Sequence, residues 1–77
     1  MKLPVVSGQQ IVKALKKAGF EIVGRKGSHI RLKKKTDKGV FIVTVPDHRE
    51  IAKDTLHSII RQSGMRRNEF IELLKRA

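Results

Sequence analysis

The segment RKGSHIRLKKK, residues 25–35, places a single histidine among closely spaced cations. These residue types suit the cleavage of RNA, in which the 2′-hydroxyl of the substrate is the attacking group. A protein must then accept that proton, protonate the leaving oxygen and stabilise negative charge on the phosphate. Because a free imidazole has a pKa of about 6.5, His29 is the candidate catalytic residue. The candidate RNA-binding cations are Arg25, Lys26, Arg31 and Lys33.

Two small residues precede the histidine and are also candidates for contact with RNA. Gly27 lets the backbone approach a phosphate closely, and the amides of Gly27 and Ser28 can donate to phosphate oxygens. A second histidine, His48, follows Pro46 at the end of an apolar segment. We favour an interpretation of His48 as a hydrogen-bonding residue that braces the loop, and the alternative is a second catalytic group.

Other kinds of site find less support. The three histidines lie at positions 29, 48 and 57, the acidic residues are scattered, and cysteine is absent, so we predict neither a metal site nor a cofactor. Stacking of RNA bases is not predicted, because the chain has no Trp or Tyr and its three Phe residues fit core positions.

The charge of the chain indicates a polyanionic partner. Its 77 residues include 18 Lys and Arg against 7 Asp and Glu, a formal charge of +11, and nucleic acid is the simplest such partner. The length predicts one domain over residues 1–77. The absence of cysteine and of any long apolar segment predicts a cytoplasmic protein without a signal peptide or membrane span.

The pattern of residues predicts the order α-β-β-β-α-α. Ser7 and Gln10 form a predicted capping box for a first helix that ends at Gly19, after which Phe20 is expected to fold back onto Leu15. Three antiparallel strands follow, with sequences FEIVGR, SHIRLKKK and VFIVTVP, and the TDKG segment forms the second turn.

Two helices are predicted after the strands. Asp54 is the expected cap of the first, which carries Leu56, Ile59 and Ile60 and ends at Gly64, and the second carries Phe70, Leu73, Leu74 and Ala77. The predicted fold is therefore an α+β sandwich of two layers, a three-stranded antiparallel sheet with helices on one face.

Alternation along the second strand predicts which of its side chains face outward. If Ile30 and Leu32 face the helices, His29, Arg31 and Lys33 face the other way. A slip of one residue would instead bury the histidine, and the cations could be a solvated surface that protects the sheet from aggregation. The third strand is apolar on both faces, with Phe41, Val43 and Val45 on one and Val40 and Ile42 on the other. One of these two sets is expected to form an exposed strip that fits a partner or an oligomer interface.

Several short motifs, in this order, resemble the HicA toxin family of YcfA-like mRNA interferases. They are LKKAGF before the first strand, GSH in the second, VTVPDH after the third and TLHSIIRQSG in the next helix, within residues 7–65. The resemblance implies a fold like that of double-stranded-RNA-binding domains and metal-independent cleavage of mRNA in bacteria or archaea. It also implies that His29 is catalytic and that a HicB antitoxin covers the site. This chain has Asp54 where the family often has Gly.

Two other functions fit parts of the same pattern. A non-catalytic RNA-binding module would use the cationic strand only to position phosphates. A DNA-binding protein would use the late helices, because RQSGMRRNEF resembles a helix-turn-helix in its spacing, but these helices are better explained as a covering layer of the sheet.

Overall fold

The computed structural model describes residues 5–76, which form an antiparallel sheet covered by helices on one face. The order α-β-β-β-α-α and the strand order β1-β2-β3 confirm the predicted α+β fold. Within these residues no helix has the length and apolar character needed to cross a membrane. The elements are α1 Gly8–Lys17, β1 Glu21–Lys26, β2 His29–Thr36, β3 Gly39–Pro46, α2 Lys53–Ser63 and α3 Arg67–Arg76.

Both predicted ends of α1 are confirmed. The Ser7 hydroxyl accepts from the amide of Gln10 and the Gln10 side chain accepts from the amide of Ser7, which completes the capping box. At the other end Gly19 adopts a φ of 102°, and the amide of Phe20 donates to the carbonyl of Leu15 at 2.9 Å. This 6→1 hydrogen bond belongs to a Schellman motif, which reverses the chain into β1.

Lys34 also stabilises the end of α1. Its ammonium donates to the carbonyl oxygen of Ala18 at 2.6 Å and lies 5.8 Å from the centroid of the Phe20 ring. A cation at this position neutralises the partial negative charge of the helix C-terminus. The lysine run is therefore not uniformly solvated, because Lys34 is half-buried on the helix side of the sheet.

The hydrophobic core lies between the sheet and the three helices. Ile30 and Leu32 of β2 and Val43 and Val45 of β3 are at most 3% exposed. Helix α1 packs against α3, and α2 packs against β3. The buried helical side chains of this core are Ile11, Val12, Ala14, Leu15, Leu56, Ile59, Ile60, Phe70, Ile71 and Leu74.

The start of α2 differs from the prediction. Ala52 is the cap residue and no side chain caps the helix, so the prediction that Asp54 is the cap is wrong. Asp54 lies in the first turn, where its charge still favours the positive end of the helix. The predicted end at Gly64 is confirmed by its φ of 72°, and a Cβ there would lie 2.6 Å from the Phe41 ring.

Helix α3 completes the core. Phe70 is fully buried, and Ile71 and Leu74 are at most 8% exposed. Leu73, which was predicted to face the core, is only half-buried. Ile71, which was not among the predicted core residues of this helix, is buried. The predicted role of Ala77 lies outside the described residues.

Candidate active site

His29 is the first residue of β2 and is exposed on the face of the sheet that carries no helices. It pairs with Lys26 of β1 and Pro46 of β3. Since Ile30 and Leu32 are buried, the alternation of β2 directs His29, Arg31 and Lys33 to the opposite face, as predicted. This arrangement excludes a core position for the histidine. We call this face, defined by His29, Arg31, Lys33 and their cross-strand partners, the outer face.

A tight turn made by Gly27 and Ser28 positions His29. Gly27 has a φ of 59° and Ser28 a negative φ, the pattern of a two-residue turn with glycine first. A Cβ on Gly27 would have no neighbour within 4 Å, so the backbone at this turn is open to a ligand. The Ser28 carbonyl accepts from the amide of Asp47 at 2.6 Å. The turn is therefore accessible on one side and fixed to the end of β3 on the other.

The outer face carries a row of cations that starts at His29. Arg31 lies between Gly24 and Thr44, and Lys33 lies between Glu21 and Ile42. Alternate residues of a strand are about 6.6 Å apart, so the histidine and the two cations form an evenly spaced row. Beside it, Val40 and Ile42 are 52% and 46% exposed, which confirms the predicted apolar strip.

The turn at Gly27 and Ser28 decides which flanking cation joins the outer face, and a bulge lies farther along β1. The register shifts between Ile22 and Gly24, so Val23 is an additional residue, as in a β-bulge. Beyond the bulge Arg25 pairs with Ile30 and Lys26 pairs with His29. Lys26 therefore shares the outer face with the histidine, and Arg25 shares the face of Ile30. Contact of Arg25 with RNA remains a prediction.

Arg25 forms an ion pair with Asp47, a residue that the sequence analysis did not single out. The guanidinium lies 2.5 Å from the Asp47 carboxylate, which also accepts from the Gln9 side chain at 2.9 Å. These partners lower the pKa of Asp47, chiefly through the hydrogen bond from Gln9, then through Arg25 and the charge of His48. The network joins the end of β1, the start of α1 and the loop after β3. Its sequence signal, an Asp directly after a strand that ends in Pro, is weak.

His29 and His48 line the same open cleft of about 400 Å³. The loop of His48 is braced through its backbone, because the His48 carbonyl accepts a hydrogen bond from the amide of Gly8 at 2.8 Å. The His48 residue itself is exposed. Because they line one cleft, the side chains of His29 and His48 can act together on one ligand. The remaining residues of the lining are Thr44, Pro46, Glu50, Ile51, Ala52 and Thr55.

Neither the third histidine nor a cluster of acidic groups provides a metal site within residues 5–76. His57 lies on α2 and is not part of the cleft lining. Among residues 5–76, no three His, Asp or Glu side chains form a group that could hold a metal ion. Phe20 and Phe70 are buried and Phe41 packs against the core, in the core positions predicted for all three.

Comparison with known proteins identifies the family. The model of a family described as the HicA toxin of bacterial toxin–antitoxin systems matches residues 8–65. No curated protein matches the chain. The family match begins at the first residue of α1 and ends just after α2, so it includes the whole sheet and both histidines of the cleft. Because the match covers well over half of the 77 residues, this chain belongs to the HicA family of toxins.

Proposed function

We propose that this toxin is an endoribonuclease that cleaves mRNA through His29 without a metal ion and thereby stops translation. The observation that supports this proposal is the position of His29, exposed at the start of a row of cations on the outer face. An exposed imidazole on that face is open to a polynucleotide, whereas one on the other face would be covered by helices.

In the proposed reaction the imidazole of His29 takes the proton of the ribose 2′-hydroxyl. A neutral imidazole can do this near pH 7 because its free pKa is about 6.5. Lys26, Arg31 and Lys33 hold the phosphate backbone, and their charge stabilises the transition state as negative charge builds on the phosphate oxygens. The open turn at Gly27 and Ser28 lets backbone amides approach the same phosphate.

The partner that silences the toxin is proposed to be a HicB-type antitoxin bound over the outer face. The family is one half of a toxin–antitoxin pair. Val40 and Ile42 are about half exposed beside the cations, and an apolar strip with a charged border suits a protein partner. Antitoxin and mRNA would then compete for one surface. Both are proposed to meet the toxin in the bacterial or archaeal cytoplasm.

Incubation of the purified protein with single-stranded RNA in EDTA tests the proposal directly. Fragments are followed on a denaturing gel, and RNA binding is measured separately for the same samples. We expect the native protein to cleave, and His29→Ala to lose cleavage while it retains most of its RNA affinity. His57→Gln is the matched control, because it removes a histidine outside the cleft, and it should cleave normally.

The same experiment separates the enzyme from a binding module. If the native protein binds RNA without producing fragments, or if His29→Ala cleaves as the native protein does, the proposed catalytic role of His29 is wrong. A fragment pattern shared by all the variants would indicate a contaminating nuclease.

A further inference from the structure

We infer that His48 is the second proton-transfer group of the site and protonates the leaving 5′-oxygen of the RNA. This inference rests on the proposed ribonuclease function and assigns the step that His29 alone leaves unfilled. Cleavage needs one group to accept a proton and another to donate one, because the attacking and leaving oxygens lie on opposite sides of the phosphorus. A phosphate held between two such groups needs a cleft that both reach.

The cleft beside His29 meets this requirement. His29 enters it from the start of β2, and His48 enters it from the loop that follows β3. The two residues are far apart in sequence, but His29 pairs with Pro46, which lies two residues before His48. A volume of about 400 Å³ leaves room for a phosphate and part of its ribose.

The chemistry of the lining leaves one candidate for the acid. Besides His29, the polar lining residues are Thr44, His48, Glu50 and Thr55. Hydroxyl groups do not release protons near pH 7, and a free Glu, with a pKa of about 4.3, has already lost its proton there. An imidazole is the one group of this set that can supply a proton at neutral pH. His48 therefore complements His29.

Two backbone hydrogen bonds hold His48 in place. The amide of Gly8 donates to its carbonyl, and the amide of Asp47 donates to the carbonyl of Ser28. The second bond joins the loop of His48 to the turn that precedes His29, so the two histidines are positioned by one connected piece of backbone. Replacement of the His48 side chain leaves both bonds intact, and loss of the fold is not expected.

The step balances as a transesterification. The 2′-hydroxyl proton moves to His29 as the bond from the 2′-oxygen to phosphorus forms. The bond from phosphorus to the 5′-oxygen breaks, and that oxygen takes the proton of the His48 imidazolium. The products are a 2′,3′-cyclic phosphate and a free 5′-hydroxyl. Exchange of protons with water returns both imidazoles to their starting forms.

A pair of substrates that differ only in the leaving group tests this assignment. One is a dinucleotide, whose 5′-alkoxide needs a proton to leave, and the other is a nucleoside 3′-(4-nitrophenyl phosphate), whose nitrophenolate leaves without one. We expect His48→Ala to lose roughly 10²- to 10⁴-fold in kcat/KM on the dinucleotide. On the nitrophenyl ester the same variant should stay within a few-fold of the native protein. His29→Ala should lose activity on both substrates.

The pH profile gives a second readout that a structural role would not change. The native protein should show a bell-shaped dependence of kcat/KM, and His48→Ala should lack the fall on the alkaline side. The assignment would be overturned if His48→Ala lost equal activity on both substrates. It would also be overturned if the nitrophenyl ester restored the activity of His29→Ala and not that of His48→Ala. If the native protein cleaves neither substrate, the proposed function itself fails, and the role of His48 fails with it. Normal activity of His57→Gln on both substrates would show that loss of a histidine elsewhere has no such effect.

Discussion

The amide of Asp47 donates to the carbonyl of Ser28 at 2.6 Å, which joins the loop after β3 to the turn before His29. The side chain of the same aspartate binds Arg25 and Gln9. One residue thus connects three segments around the candidate site: the end of β1, the start of α1 and the loop of His48. The geometry of the site depends on this connection, and its removal can be measured.

Replacement of Asp47 by Asn should lower the stability of the protein in a pH-dependent manner. The folded state lowers the pKa of Asp47 from its ordinary value near 3.9, so the carboxylate stabilises the fold above that value. This stabilisation is lost as the pH falls through the lower, folded pKa. Urea unfolding should therefore show the native protein to be more stable than Asp47→Asn at pH 7, with the difference diminishing below about pH 4. A difference that is equally large at pH 3 would contradict a role for the charge.

The pairing of β1 with β2 predicts different effects for two adjacent cations. Lys26→Ala should weaken RNA binding with little change in stability, because Lys26 lies beside His29 on the outer face. Arg25→Ala should first reduce stability, because Arg25 pairs with Asp47. Thermal unfolding and RNA titration of both variants check this. Weaker binding by Arg25→Ala at unchanged stability would instead place Arg25 in the RNA interface.

Loss of a cation from the row should change how RNA affinity depends on salt. In a His29→Ala background, Arg31→Ala and Lys33→Ala should each reduce the slope of log K against log salt by about 0.7, the value for one phosphate contact with a single strand. Fluorescence anisotropy with a labelled RNA measures this slope. Lys13→Ala is the control, because Lys13 is exposed on α1 in the helical layer. A similar reduction in Lys13→Ala would indicate a diffuse field rather than a binding row.

Lys34 is expected to stabilise the fold rather than bind RNA. Lys34→Met removes the hydrogen bond to the Ala18 carbonyl and the cation near Phe20, and should cost about 1–2 kcal/mol of unfolding free energy. Lys35→Met is the matched control, since Lys35 is exposed and should contribute close to zero. Urea denaturation of both variants measures the difference. Equal stabilities would show that the contact at the end of α1 contributes little.

Helix α3 lies beyond the family match but should be necessary for folding. Phe70 is fully buried in the core, and Phe70→Ala should cost about 3–5 kcal/mol of unfolding free energy. Denaturant unfolding measures this loss. Glu72→Ala, an exposed position of the same helix, should have little effect. A stable and active Phe70→Ala variant would mean that the match over residues 8–65 contains a complete core.

Much of the fold follows from short-range rules. The capping box of Ser7 and Gln10 and the Schellman motif at Gly19 depend on residues within one helical turn. The outward position of His29 follows from the alternation of apolar and polar residues along β2, because burial of Ile30 and Leu32 leaves one arrangement. The GSH motif and its order relative to the other motifs also indicated the family that the comparison found.

The sequence by itself thus determined the elements, the family and the face on which His29 lies, because these depend on local spacing. Tertiary structure alone decided that Lys26 rather than Arg25 joins His29, since the turn consists of Gly27 and Ser28 and therefore pairs Lys26 with His29 and Arg25 with Ile30. It also decided that Lys34 contacts α1 and that His48 shares a cleft with His29. These contacts join residues distant in the chain, and their formation depends on the register of the sheet and the packing of its helices.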